Sequence, residues 1–235
     1  MTKILLISLS LISLSAFGQN TRIPDFNNAK KILKKTQYLG VEREVYCNCK
    51  VLPNNKFDNS SCGYKAKKDN ERSRRLEAEH VVPFSSILGD SKAWDNGDPS
   101  CKGKKGRACA GKIYGYIEGD LWNLLPSIGE LNGHRSNYTV AEIPGEAREY
   151  GTCDFEISDR KVEPPEDMKP VMAAAYYYIQ DAYGKSVGAN VISGKNEKLL
   201  QVWYNRPMPK WACDWASRVR SIQGNDNKFM SAKCK

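Results

Sequence analysis

The chain of 235 residues has two histidines, and one of them, His80, directly follows a carboxylate in the stretch EAEHVVP, Glu77 to Pro83. A neutral imidazole suits proton abstraction near neutral pH. A carboxylate oxygen suits a hard cation such as Mg²⁺, which takes oxygen ligands and keeps several waters. Side by side they fit phosphodiester hydrolysis, where water must lose a proton while negative charge grows around phosphorus. The same stretch also reads as a strand with a solvated polar end. Three features favour a site: the scarcity of histidine, the apolar Val81-Val82 pair that would anchor the segment, and Pro83, which ends ladder pairing and sets Glu79 and His80 at a strand exit.

A cation held by few protein groups wants a further oxygen. Asn123 in DLWNL is a candidate, with plain capping or surface hydrogen bonding as the alternative. A zincin needs two histidines at i and i+4, whereas the second histidine is His134, expected at a surface or helix end. No GxSxG elbow supports a serine hydrolase. A glycosidase with paired carboxylates would leave the basic surface and His80 unexplained.

The elements that must position these residues follow from pattern. MTKILLISLSLISLSAFG reads as a secretory leader, residues 1–18, cleaved near Gly18, leaving residues 19–235 as one domain. The net charge of +9 survives cleavage, since the leader carries only Lys3, and it points to a polyanionic partner. Eight cysteines in an exported chain imply four disulfides: Cys47, Cys49, Cys62, Cys101, Cys109, Cys153, Cys213 and Cys234. Cys47 and Cys49 would take different partners, Cys101 and Cys109 could close CKGKKGRAC, and a zinc site on Cys47, Cys49 and Cys62 is the alternative. A helix is expected at FNNAKKILKKTQ, capped by Asn27 or Asn28, then a strand at EREVYCNCKVL. A basic loop at 89–112 precedes a short strand from Lys112 to Ile117. Asp120 should cap a helical turn over Leu121 to Leu125, with Pro126 opening the next helix. CDFEI and RKVEPP read as strands, and helices are expected near 166–183, 195–204 and 211–222. Tyr176, Tyr177 and Tyr178 point around a helix, which favours core packing over a base-stacking platform. The fold class is α+β: a single mixed domain with a small antiparallel sheet and several helices.

RLEAEHVVPF followed by EGDLWNLLPSIGELNGHRSNY resembles the endonuclease I family of secreted and periplasmic bacterial nucleases. YCNC, SCGY, GTC, WACDW and SIQGNDNKF occur in the family's order, so the likeness spans nearly the whole mature chain. It implies a ββα-metal (His-Me finger) core. It also implies one-metal hydrolysis of DNA, and of RNA, with little sequence preference and 5′-phosphate products. By this resemblance His80 is the general base, Glu79 and Asn123 are the metal ligands, and Arg107 contacts the phosphate, with Lys104 or Lys105 able to take its place. The cation expected is one Mg²⁺, with Ca²⁺ or Mn²⁺ as alternatives. Two positions depart from the family's habit: Ala78 stands where tryptophan is common, and Trp122 where histidine is common.

Lys102, Lys104, Lys105, Arg107 and Lys112 would form one phosphate-binding loop, and Arg72, Arg74 and Arg75 another cluster. Such contacts bind any sequence. The alternatives are a solvated surface for the loop and neutralisation of Glu77 for Arg74 and Arg75. The resulting expectation is a secreted or periplasmic, monomeric, metal-dependent endonuclease that leaves the membrane once its leader is cut. Its rival is a catalytically silent nucleic-acid-binding protein on the same scaffold.

Overall fold

The computed structural model describes residues 16–88, 112–145 and 148–235. Arg107, Lys102, Lys104, Lys105, Cys101, Cys109 and most of the expected leader lie outside the described residues. A short strand β1 (Ala16–Phe17) comes first, then α1 (Phe26–Lys35). The α1 cap is Asp25, not Asn27 or Asn28: its carboxylate accepts the Asn28 N–H at 2.8 Å, an acceptor in the place that first-turn donors require.

The segment expected to be a strand around Cys47 and Cys49 is a tight turn instead. Buried Glu44 accepts the N–H groups of Tyr46, Cys47 and Cys49 at 3.1, 2.6 and 3.3 Å, and Asn48 adopts φ 61°. A side chain that satisfies its neighbours' backbone in this way removes their need for a ladder. Cys47 bridges to Cys153, Cys49 to Cys62, and Cys213 to Cys234. The first two thiols therefore diverge to separate partners, and the zinc alternative lapses because its sulfurs are oxidised.

The strands do not form one antiparallel sheet. Among the described residues they form four small ones: β1 with β9 (Asn225–Asp226), β2 (Lys50–Leu52) with β3 (Lys56–Asp58), β4 (Leu76–His80) with β5 (Leu124–Ile128), and β6 (Thr139–Val140), β8 (Lys161–Glu163) and β7 (Glu156–Ser158) in that order. The β1–β9 and β6–β8 pairings are parallel. Between β4 and β5 lie α2 (Phe84–Leu88) and α3 (Lys112–Glu118). The latter is a helix where a strand was expected, because Ile113, Tyr114 and Ile117 repeat at helical spacing. Gly115 lets that helix lie against the chain before α1, since a Cβ there would meet the Pro24 carbonyl oxygen at 2.3 Å.

Asp120 caps a single 3-10 turn, Leu121–Asn123, as its carboxylate accepts from the Trp122 N–H. The chain then enters β5 instead of a helix. Pro126 sits opposite Ala78 in a two-stranded pair, where both strands are edges and proline is tolerated. Helix α4 (Gly129–Arg135) follows β5 directly. Helices α5 (Lys169–Val187), α6 (Glu197–Asn205), α7 (Lys210–Gln223) and α8 (Lys228–Lys233) close the fold.

Asp120 ties the 3-10 turn to these helices, accepting from Tyr178, Tyr183 and Gln223 at 2.7, 2.6 and 2.7 Å. Tyr176 and Tyr178 are accordingly core residues, and Trp122 is buried against Trp215. One core, built from both helices and strands, runs through the described residues.

Candidate active site

Strand β4 carries Glu79 and His80 to its end, and β5 runs back alongside it with His80 opposite Leu124 and Glu79 opposite Leu125. Successive side chains on a strand leave by opposite faces. Glu79 is buried at 3 % exposure. Its Oε1 accepts the Tyr46 hydroxyl at 2.6 Å and Arg135 Nη1 at 3.0 Å. Burial pushes the Glu79 carboxyl above the usual carboxylate range, while Arg135 and Tyr46 pull it back.

On the other face, the His80 ring lies between Phe26 and Phe84, at 4.8 and 6.3 Å between centroids. Its Nε2 is 2.9 Å from the carbonyl of Glu118, the last residue of α3. A carbonyl can only accept, so the proton of a neutral ring belongs on Nε2 and the basic lone pair on Nδ1.

Arg135 at the end of α4 joins these parts. It is 1 % exposed and donates to the carbonyls of His80 and Val81 at 2.9 and 2.6 Å as well as to Glu79. One guanidinium thus fixes both the carboxylate and the strand exit that presents the histidine. Burial works against its charge, but Tyr46 and Glu79 beside it raise its pKa further.

Asn123 is not brought into contact with Glu79. Its side chain is fully buried and closed on Val82, accepting that residue's N–H at 2.8 Å and donating to its carbonyl at 2.9 Å. Both polar ends of the amide are spent on the backbone of the strand exit. Of the two amides that do share a cleft with Glu79 and His80, Asn132 stands in the middle of α4, bonded to Glu77, and the other lies just past that helix. Their cleft measures about 440 Å³ and is walled also by Phe84, Arg135 and Asn137.

Asn132 Nδ2 donates to Glu77 at 3.1 Å, which leaves its carbonyl oxygen as the remaining polar group. Glu77 is in turn held by Arg72 and Arg75. Burial would raise its pKa, yet these two cations keep it below the ordinary value. The second carboxylate of EAEHVVP therefore orients the amide of Asn132. Sequence reading missed Asn132, although GELNGHRSN contains it at the position that one turn of α4 delivers to the β4 exit. Nothing local marks Arg135 as buried; Glu79 and the carbonyls of His80 and Val81, which it holds, lie more than fifty residues upstream.

The basic residues are placed unequally. Arg74 pairs with Asp69, and Arg75 with Glu71 and Glu77, so both are charge-balanced within their own segment. The backbone of Lys112 opens α3, while its side chain lies outside the described residues. His134, in the last turn of α4, has Nδ1 at 2.5 Å from the Tyr150 hydroxyl. A hard cation would find a carboxylate and an amide in the cleft, an oxygen donor set of the kind Mg²⁺ takes. A carboxylate offers about four acceptor positions, and Tyr46 and Arg135 use two of those on Glu79.

The model of the endonuclease I family matches residues 26–234. The chain is 34 % identical to endonuclease-1 of Buchnera aphidicola subsp. Acyrthosiphon pisum, over 94 % of this chain and 85 % of that one. It is 33 % identical to an extracellular deoxyribonuclease of Aeromonas hydrophila, over 95 % and 94 % of the two chains. A periplasmic deoxyribonuclease of the same organism is 33 % identical over 80 % and 78 %. A carboxylate, an imidazole and an amide sharing one cleft, on a chain matched almost end to end, make this protein a member of the endonuclease I family, a nuclease that hydrolyses phosphodiester bonds.

Proposed function

We propose that the protein is a secreted or periplasmic endonuclease acting on DNA, and on RNA, without sequence preference, through a site built on β4, β5 and α4 in the ββα-metal manner. The observation that carries this reading is that Glu79 and His80, neighbours on opposite faces of one strand, both line a single cleft with Asn132. Glu79 and Asn132 would hold one divalent cation, Mg²⁺ first, with Ca²⁺ or Mn²⁺ as alternatives. Asn123 has the separate task of locking Val82. The bound cation supplies positive charge to the phosphate and leaving oxygen.

His80 takes a proton from water at Nδ1 while Nε2 stays anchored on the Glu118 carbonyl. The water oxygen then bonds to phosphorus, the P–O3′ bond breaks, and the leaving 3′ oxygen takes a proton from solvent. The products are a 5′-phosphate and a 3′-hydroxyl. Arg107 would contact the phosphate, aided by Lys102, Lys104, Lys105 and Lys112 as sequence-independent contacts. Leader cleavage near Gly18 would release residues 19–235 as a monomer. Among the described residues no helix is long and apolar enough to cross a membrane.

The test mixes the oxidised chain with supercoiled plasmid and Mg²⁺, beside EDTA, His80→Ala and Asn132→Ala. Nicking by the wild type alone supports the reading. Plasmid that is bound but never cut makes the protein a binding module.

A further inference from the structure

A second cleft, of about 580 Å³, adjoins the first. Asn132 lines both, and Phe26, whose ring lies against His80, forms part of the second wall. Part of the lining is apolar and firm: Leu33 and Tyr38 are buried on it, and the methyl group of Ala78 on β4 leaves the space open, while Glu71 and Glu77 also line the cleft with their charges paired to Arg75. Lys30 and Lys34, one helical turn apart on α1, also line the cleft, and neither forms an ion pair with a carboxylate among the described residues. Lys30 Nζ lies 4.7 Å from the centroid of the Phe26 ring.

The chemistry is mixed in a particular way. An apolar wall offers nothing to a phosphate, and two lysines offer nothing to an apolar ligand. A nucleotide satisfies both, its base against the wall and its flanking phosphates on the lysines. A base inside a duplex exposes only its edges, so it reaches such a wall only when unstacked. A volume of this size falls in the range of small-molecule sites, roughly 300–1,000 Å³.

We propose that this cleft is a subsite for one unstacked nucleotide of the substrate strand, next to the phosphate that is cut, and that it favours single-stranded nucleic acid. The inference rests on the reading of Glu79, His80 and Asn132 as the active site.

The experiment measures binding of the full oxidised chain to a fluorescein-labelled single-stranded 12-mer and to its duplex by anisotropy, in EDTA so that no strand is cut. Cleavage of both is then measured in Mg²⁺. Ala78→Trp fills the cleft, and a Lys30→Ala/Lys34→Ala variant strips its rim. Base contacts of this kind are each worth on the order of tenfold in affinity. Both variants should therefore bind the single strand about tenfold more weakly, with a parallel loss in cutting it, while duplex binding and cutting stay within about twofold. Unchanged single-strand binding, or equal losses on both substrates, overturns the proposal. Should Ala78→Trp fail to fold, the lysine variant on the surface of α1 decides alone. A wild type that cuts neither substrate refutes the active-site reading, while the binding data still decide on the cleft.

Discussion

Replacing Arg135 by Met removes a buried cation that holds Glu79, the His80 carbonyl and the Val81 carbonyl, with the Tyr176 hydroxyl also bonded to it. The side chain keeps its length and loses its charge, so the dominant loss is electrostatic. Breaking a buried ion pair from one side costs about 3–5 kcal/mol, because the remaining charge stays desolvated. That is a large fraction of the roughly 5–15 kcal/mol that holds a domain together.

The same substitution in a Glu79→Gln background leaves no orphaned charge, only two carbonyls and the Tyr176 hydroxyl. It should cost less by about 1–3 kcal/mol, the coupling range of contacting residues. Urea unfolding with disulfides intact, followed by the fluorescence of buried Trp122, Trp203 and Trp215, gives all four corners of the cycle. Equal costs in the two backgrounds, or a single-mutant cost below about 1 kcal/mol, would refute the view that Arg135 holds the carboxylate in place.

Other outcomes follow from the same contacts. Glu44 is fully buried, and its carboxyl is pushed up to about 7, chiefly by burial. A raised acid binds protons more readily in the folded state, so stability should fall as pH rises from about 4.5 to 7 and level off above, by on the order of 3 kcal/mol. Glu44→Gln should flatten that slope while lowering stability overall, because its NH₂ would meet backbone donors; denaturant titrations across pH check both. Asn123→Ala should lower the melting temperature by leaving both backbone groups of Val82 unpaired, about 1–3 kcal/mol. Asn132→Ala should melt like the wild type yet lose nicking; the reverse pattern would return the ligand role to Asn123. Opening Cys47–Cys153, which spans 106 residues, should destabilise more than opening Cys49–Cys62, which spans 13, by loop-entropy estimates of roughly 4–5 against 3 kcal/mol. Calorimetry of the paired Cys→Ser variants tests that order.

The β4 strand, the strands β7 and β8 and the three long helices were legible, because each rests on a local hydrophobic period. The turn at Cys47 and Cys49 was not: alternation over EREVYCNCKVL looks like a strand until Glu44 claims the backbone donors from inside the core. Helix α3 was masked by Gly115, which reads as punctuation but serves a close approach to Pro24. At the site, the adjacency of Glu79 and His80 was visible in the chain. The choice between two asparagines nine positions apart was not, since it depends on which amide the β5–α4 corner turns toward the cleft. A buried arginine is harder still to foresee, because its partners exist only after β4 and α4 have met.

His80 and Leu124 face each other across the β4–β5 pair, so the long connection between them departs from and returns to one spot beside the cleft. The distance its ends must bridge is fixed by the pair and does not depend on how many residues lie between. Lengthening such a connection costs little, about 0.6 kcal/mol for each doubling. Phe84, the Glu118 carbonyl and Asn123 stay bound to the strand exit, so residues gained or lost without shifting Glu79, His80 or Asn132 would have to fall between Leu88 and Lys112. New substrate tastes would be written there first, on a hydrolytic centre that stays constant underneath.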